Sequence, residues 1–118
     1  MIELENLYIY TRYNELIYYT HEILMKYPKY EKYSLVSDIK NVTYDGMKCI
    51  IKVHKEFNRL KKLKYLHNLD VNLKMLKVLV RLSYKRKYIN SRNYGAWSRY
   101  LANISNLMGG MIKQCQRL

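Results

Sequence analysis

Apolar residues recur at alternating steps of three and four along most of this 118-residue chain. That spacing keeps one apolar stripe on a single face of an α-helix, where a near-parallel partner helix can cover it. One proline and four glycines leave little room for the many turns of an all-β fold. We therefore predict an all-α fold, an antiparallel up-down-up-down four-helix bundle, formed by residues 1–118 as a single domain.

The spacing divides the chain into four helices joined by short links. The first three are predicted over about 3–25, 28–57 and 65–87, with a proline at the start of the second and a basic link at 59–64 before the third. Ser91 is expected to cap the fourth helix.

Each predicted helix carries an apolar seam. In the first, Leu7, Tyr10, Ile17 and Leu24 lie near one face, with Tyr13, Leu16 and Ile23 beside them. The other three seams are Leu35, Ile39, Val42, Gly46, Cys49 and Val53; then Leu66, Leu69, Leu73, Leu76 and Val80, widened by Leu79 and Leu82; then Tyr94, Trp97, Leu101, Ile104, Met108, Met111 and Cys115. At Gly46 we expect a neighbouring backbone to approach closely, and at Gly109-Gly110 a tight helix contact or a bend.

Acidic residues stop at Asp70. The net charge of the chain is +13, and residues 71–118 contain ten lysines and arginines without one aspartate or glutamate. A small domain needs a net charge of only about 2–8 for solubility. The surplus favours a polyanionic partner such as nucleic acid, an acidic protein surface or anionic lipid.

The basic residues are arranged in two rows at helical spacing. A cation about once per helical turn can neutralise several phosphates of one strand and release their counterions. An ordinary solvated helix face shows the same spacing, and that alternative stays open for either row alone. The predicted nucleic-acid-binding residues, for RNA or an RNA/DNA hybrid, are Lys48, Lys52, Lys55 and Arg59 in the first row and Lys74, Lys77, Arg81, Lys85, Arg86 and Lys87 in the second.

Tyrosine is unusually frequent, with fourteen in the chain. Aromatic rings interleaved with cations can stack unpaired bases while the cations hold the backbone. Half-buried tyrosines that only fill helix positions would give the same composition. The tyrosines predicted to stack on bases, because they lie among lysines and arginines, are Tyr84, Tyr88, Tyr94 and Tyr100.

The sequence predicts no catalytic residue, no metal site and no cofactor. The three histidines fall on different helices without an ExxH pairing, and neither a Gly-rich phosphate loop nor a nucleophile elbow occurs. Cys49 and Cys115 are lone thiols, predicted to be buried in a reducing compartment, so a cytoplasmic location is expected. No apolar run is long enough for a membrane span, and the N-terminus does not resemble a signal peptide.

The first helix is apolar around much of its circumference, which predicts self-association. Binding to a membrane surface is not expected, on the premise that the basic helices have no exposed apolar face besides the bundle seam.

Three stretches resemble a known family. Tyr27–Ile39 resembles an "FPK…RY.L…I" entry to a second helix, Leu73–Leu82 an "L..LR.LLRLA" third helix, and Leu107–Lys113 a closing "LGGWIK". Their order and spacing agree over about residues 5–114 with small bacterial four-helix-bundle proteins. Within that superfamily the chain is most similar to the accessory variability determinant (Avd) proteins of diversity-generating retroelements, and Arg81 falls on a basic position of the motif.

This resemblance implies a positively charged homopentameric barrel that is not itself a catalyst. Such a protein would bind the reverse transcriptase of the retroelement and its template RNA. An alternative is the sister branch, the bundle proteins encoded by intervening sequences in rRNA genes, with this chain serving as an assembly scaffold for an acidic protein partner.

Overall fold

The computed structural model describes residues 3–4 and 7–117, and within that part the chain is almost entirely helical, without a β-strand. Each helix packs on its neighbours in the chain, and the first also packs on the last, so the four close into a bundle of 47 × 24 × 22 Å. The all-α four-helix bundle is confirmed. Its helices are α1 (Tyr8–Leu24), α2 (Leu35–Lys55), α3 (Arg59–Lys85) and α4 (Ser91–Gln116), with a short 3-10 helix at Lys29–Glu31 between α1 and α2.

The core follows the predicted seams of α2, α3 and α4, except that Val42, Tyr94, Met111 and Cys115 are only half-buried. All five seam leucines and valines of α3 are buried, as are Trp97, Leu101, Ile104 and Met108 of α4. Leu82 is exposed, so it does not widen the α3 seam. In α1 the buried row is Ile9, Tyr13, Leu16, Thr20 and Ile23, whereas Leu7, Tyr10 and Ile17 are only half-buried.

The helices α1 and α2 are shorter than predicted. Within the described residues α1 begins at Tyr8 rather than near Glu3, which is not helical, and residues 5 and 6 lie outside the described part of the chain. The second helix does not start at Pro28, whose ψ of 143° is extended, and which instead precedes the 3-10 helix. The α-helix begins at Leu35, where the carboxylate of Glu31 accepts from the Leu35 backbone N–H at 3.4 Å and from the Ser34 hydroxyl at 2.5 Å.

The predicted basic link at 59–64 is helical, because α3 starts at Arg59. Asn58 supplies the N-cap, its side-chain oxygen accepting from the Lys61 N–H at 3.0 Å. Ser91 does not cap α4. Asn90 does, accepting from the Asn93 N–H at 2.8 Å, and Ser91 is the first helical residue.

A side chain rather than a backbone approaches Gly46. A Cβ built on that glycine would lie 2.0 Å from the Tyr13 hydroxyl oxygen. A Cβ built on Gly109 or Gly110 would have no such neighbour within 4 Å, so the tight helix contact expected there does not form among the described residues, and α4 runs through both glycines as one helix.

Both cysteines are free thiols, but only Cys49 is buried, and Cys115 is half-buried. Burial raises the pKa of the Cys49 thiol. Among the described residues no three histidine, cysteine or carboxylate side chains come together as a metal site, and none of the helices there is both long and apolar enough to cross a membrane.

Candidate nucleic-acid interface

Three of the four residues in the first basic row lie exposed on α2, and two of them, Lys48 and Lys52, line a cavity between α2 and α3. Lys48 lies 3.9 Å from Asp45, a long ion pair between two solvent-exposed side chains. The ammonium group of Lys52 lies 5.7 Å from the ring centroid of Tyr65 on α3. Lys55 ends the helix. These cations are available to an anion at modest cost, because exposed ion pairs contribute little.

Arg59 does not extend that row. The chain leaves α2 after Lys55, and Arg59 opens α3 half-buried. Its Nη1 donates to the backbone carbonyl of Cys115 at 2.9 Å, near the C-terminus of α4. A cation is favourable there, because the last carbonyls of a helix carry partial negative charge. Arg59 therefore links the start of α3 to the end of α4.

The first four members of the second row, Lys74, Lys77, Arg81 and Lys85, lie on α3. Lys74 is paired with Asp70 at 2.5 Å, and the residues after it have no acidic neighbour in sequence. Lys77 and Arg81 line a cavity of about 180 Å³ together with Tyr94 of α4. Within the described residues neither cation has a carboxylate within 4.0 Å, so neither is engaged in an ion pair.

The second row continues from Lys85, the last residue of α3, to Arg86 and Lys87, and all three are exposed. Lys87 has a φ of 64°, the left-handed conformation that usually belongs to glycine after a helix. Two backbone hydrogen bonds close the helix there, from the N–H of Lys87 to the carbonyl of Tyr84 and from the N–H of Tyr88 to the carbonyl of Ser83, each 3.0 Å.

The four tyrosines predicted to stack on bases make different contacts in the structure. The rings of Tyr84 and Tyr94 are stacked in parallel, with centroids 4.6 Å apart and planes 5° apart. Tyr88 donates its hydroxyl hydrogen to Glu31 at 2.7 Å and packs its ring on Tyr27. Tyr100 packs against Tyr19, with ring centroids 5.1 Å apart, inside the α1–α4 contact.

Glu31 organises the connection between α1 and α2. Hydrogen bonds from Ser34 and Tyr88 hold the pKa of its carboxyl below the usual range. The pKa of the Tyr88 hydroxyl is raised in turn, because Tyr30 and Glu31 are both hydrogen-bonded to it. The sequence analysis did not find this pairing, since the two residues are 57 positions apart.

Tyr84 and Tyr88 line an open cavity of about 620 Å³ at the end of the bundle, together with Lys85 and Lys87. Lys26, which follows α1, and Asn93 of α4 also line it, and neither was singled out from the sequence. Only the folded bundle brings the α1–α2 connection beside the α3–α4 connection. No local spacing in the chain could have found this combination.

The outer face of α3 carries a second apolar stripe, which the sequence analysis did not anticipate. Val71 and Val78 are 66% and 58% exposed, and Leu60 is 68% exposed. The premise that the basic helices have no exposed apolar face besides the seam is therefore wrong for α3. By contrast, the large apolar side chains exposed on α1 are Tyr8 and Tyr18. The complete α3 stripe is Leu60, Val71, Met75, Val78 and Leu82.

A family model described as bAvd-like matches residues 7–115 of the chain. The match spans all four helices and includes both basic rows. A search of the curated proteins finds no match.

Proposed function

Because the chain belongs to the bAvd-like family, we propose that it is a cytoplasmic, non-catalytic accessory protein of a diversity-generating retroelement. In this role it binds template RNA and the reverse transcriptase of the retroelement. It does so as a homo-oligomer, for which the resemblance implies five protomers. The family is one of accessory proteins rather than known enzymes.

The observation that carries RNA binding is the uncompensated charge on the α3–α4 side of the bundle. Lys77 and Arg81 share a cavity with Tyr94, and no residue after Asp70 is acidic. Cations one helical turn apart match the requirement for contacting consecutive phosphates. The bases play no part in these contacts, so the rows favour binding that depends on charge more than on sequence.

Self-association is supported by the exposed apolar stripe on α3. Val71 and Val78 lie one heptad apart on the same helix and are both mostly exposed. Contiguous exposed apolar side chains favour a partner that covers them. A second copy places its own basic row beside the first, and the charge of the assembly rises with each protomer.

The experiment is RNA binding across a salt series, with the mass of the protein measured by light scattering in the same buffers. The variant Lys77→Glu/Arg81→Glu should bind RNA more weakly, and the slope of log K against log salt should fall by about 2, since two phosphate contacts are lost. Its helical content and mass should not change, because both side chains are exposed.

The matched control is Lys61→Glu/Lys64→Glu, which makes the same charge change on exposed residues near the start of α3. It should retain most of the wild-type slope. Equal losses in the two variants would mean that net charge, not the α3 row, governs binding. A stable oligomer that ignores RNA at about 0.15 M salt would contradict the proposal and favour a scaffold for an acidic protein partner.

The reverse-transcriptase part is tested separately. We expect a reverse-transcriptase gene and a pair of near-repeats beside the gene for this chain, and the two proteins should co-purify after co-expression. A position inside an rRNA gene would instead favour the intervening-sequence branch.

A further inference from the structure

The α1–α2 and α3–α4 connections meet at one end of the bundle, where they form the open cavity of about 620 Å³. We propose that this end cavity binds one unpaired nucleotide of an RNA strand, with the base on Tyr84 and the adjoining phosphates on the lysines. The inference rests on the proposed RNA-binding function and adds a preference for single strands. The side chains that carry it are Lys26, Lys85, Lys87, Tyr84, Tyr88 and Asn93.

Tyr84 is held in place for stacking. One face of its ring lies flat on Tyr94, at a centroid distance of 4.6 Å, and the residue remains 39% exposed. Tyr84 lines the end cavity, and Tyr94 lines the next cavity with Lys77 and Arg81. A base placed on Tyr84 would extend a stack that already exists, beside cations that continue the α3 row.

Tyr88 forms a second fixed wall. Its hydroxyl donates to Glu31, and its ring packs on Tyr27 with centroids 5.3 Å apart. Glu31 is the carboxylate in contact with this wall, and the hydroxyls of Ser34 and Tyr88 both donate to it. None of the side chains lining the cavity is acidic, so the described surface around it is cationic.

Lys87 stands where a helix usually ends with glycine. Its φ of 64° costs a lysine free energy that a glycine would not lose. Strained residues of this kind are concentrated at functional sites. Lys87 also lines the cavity, so this strained residue is one of the cations that we assign to the phosphates.

The combination of rings and cations selects an unpaired nucleotide. In a duplex the bases are stacked on each other and cannot reach Tyr84, so a duplex would use only the basic rows. Base–tyrosine stacking accepts any base, because each has a π-face. The amide of Asn93 can donate and accept at the edge of the base.

The test compares a short single-stranded RNA with a duplex of the same sequence. Tyr84→Leu should lower the affinity for the single strand by about tenfold to a hundredfold, as expected for losing one stacked base. Its affinity for the duplex should not change. Tyr84→Phe is the control and should retain both affinities, because the ring remains.

Lys87→Gly provides a second variant that is expected to fold better than the wild type. Its melting temperature should rise while its affinity for the single strand falls. Equal losses of single-strand and duplex affinity in Tyr84→Leu, or no loss of single-strand affinity in either variant, would overturn the nucleotide site and leave the salt-dependent binding of the rows intact. A wild-type protein that binds neither RNA would overturn both the site and the proposed function.

Discussion

The hydroxyl of Tyr13 occupies the space in which a side chain on Gly46 would begin. A Cβ at position 46 would lie 2.0 Å from that oxygen and 2.7 Å from the ring carbon that bears it. The ring cannot easily move, because it is buried and its hydroxyl donates to the backbone carbonyl of Thr43 at 2.6 Å. This contact fixes how closely α1 and α2 pack.

We expect Gly46→Ala to destabilise the bundle. Alanine improves the helix propensity of α2 by about 1 kcal/mol, but overpacking a core contact costs about 1–3 kcal/mol, and at this distance the contact should dominate. Gly109→Ala is the matched control, since open space surrounds that glycine in the protomer, and it should be neutral or stabilising. Denaturant unfolding of the two variants measures the difference, and equal stabilisation of both would contradict the packing argument.

The fold could be predicted because its signal is repeated. Leu66, Leu69, Leu73 and Leu76 recur at steps of three and four, and all four are buried. Helix ends depend on single contacts and were predicted less well. Asn90, not its neighbour Ser91, accepts from Asn93, and the sequence offers both residue types as caps. The α3 basic row could be predicted because, like the seams, it repeats at helical spacing. The end cavity could not, because it combines residues about 60 positions apart.

Asn90→Ala should cost about 1 kcal/mol of stability through loss of the α4 cap. The Asn90 side chain accepts from the Asn93 N–H at 2.8 Å, and alanine leaves that donor without its partner. Ser91→Ala is the control and should change the unfolding midpoint little, because Ser91 lies inside the helix. A larger effect of the serine variant would restore Ser91 as the cap.

Arg59→Gln should loosen the end of α4 rather than weaken RNA binding. The guanidinium of Arg59 donates to the Cys115 carbonyl, and a hydrogen bond from a charged group is worth about 1.5–3 kcal/mol, less where solvent reaches it. Hydrogen exchange at the amides of 112–117 should become faster, with the salt slope for RNA close to that of the wild type. If the salt slope instead falls as it should in Lys77→Glu/Arg81→Glu, Arg59 belongs to the RNA-binding surface.

Val71→Lys/Val78→Lys should dissociate the oligomer that we propose. Each substitution places a charge on the apolar stripe of α3, where burying it against a second copy is unfavourable. Light scattering should report the protomer mass, and circular dichroism should show unchanged helix content. Ala102→Lys/Asn106→Lys makes comparable changes on exposed positions of α4 and should leave the mass of the assembly unchanged. If the valine variant keeps the mass of the wild type but no longer binds anionic vesicles, the stripe is a lipid-binding surface.

Glu31 should make the end of the bundle sensitive to acid. Its folded-state pKa is lowered, chiefly by the hydrogen bonds from Ser34 and Tyr88, so the unfolded state binds the proton more readily. The stabilisation is present above the ordinary carboxyl pKa and is lost as the pH falls through the lower folded value.

The unfolding midpoint should therefore fall less between about pH 6 and about pH 3 in Glu31→Gln than in the wild type. Glu22→Gln, which alters an exposed carboxylate of α1, is the control and should retain the wild-type fall. Because Tyr88 lines the end cavity, loss of its bond to Glu31 at low pH should also weaken single-strand binding before the helices unfold. Single-strand affinity that survives acid unchanged in the wild type would separate the Glu31 contact from the cavity and leave it a purely structural link.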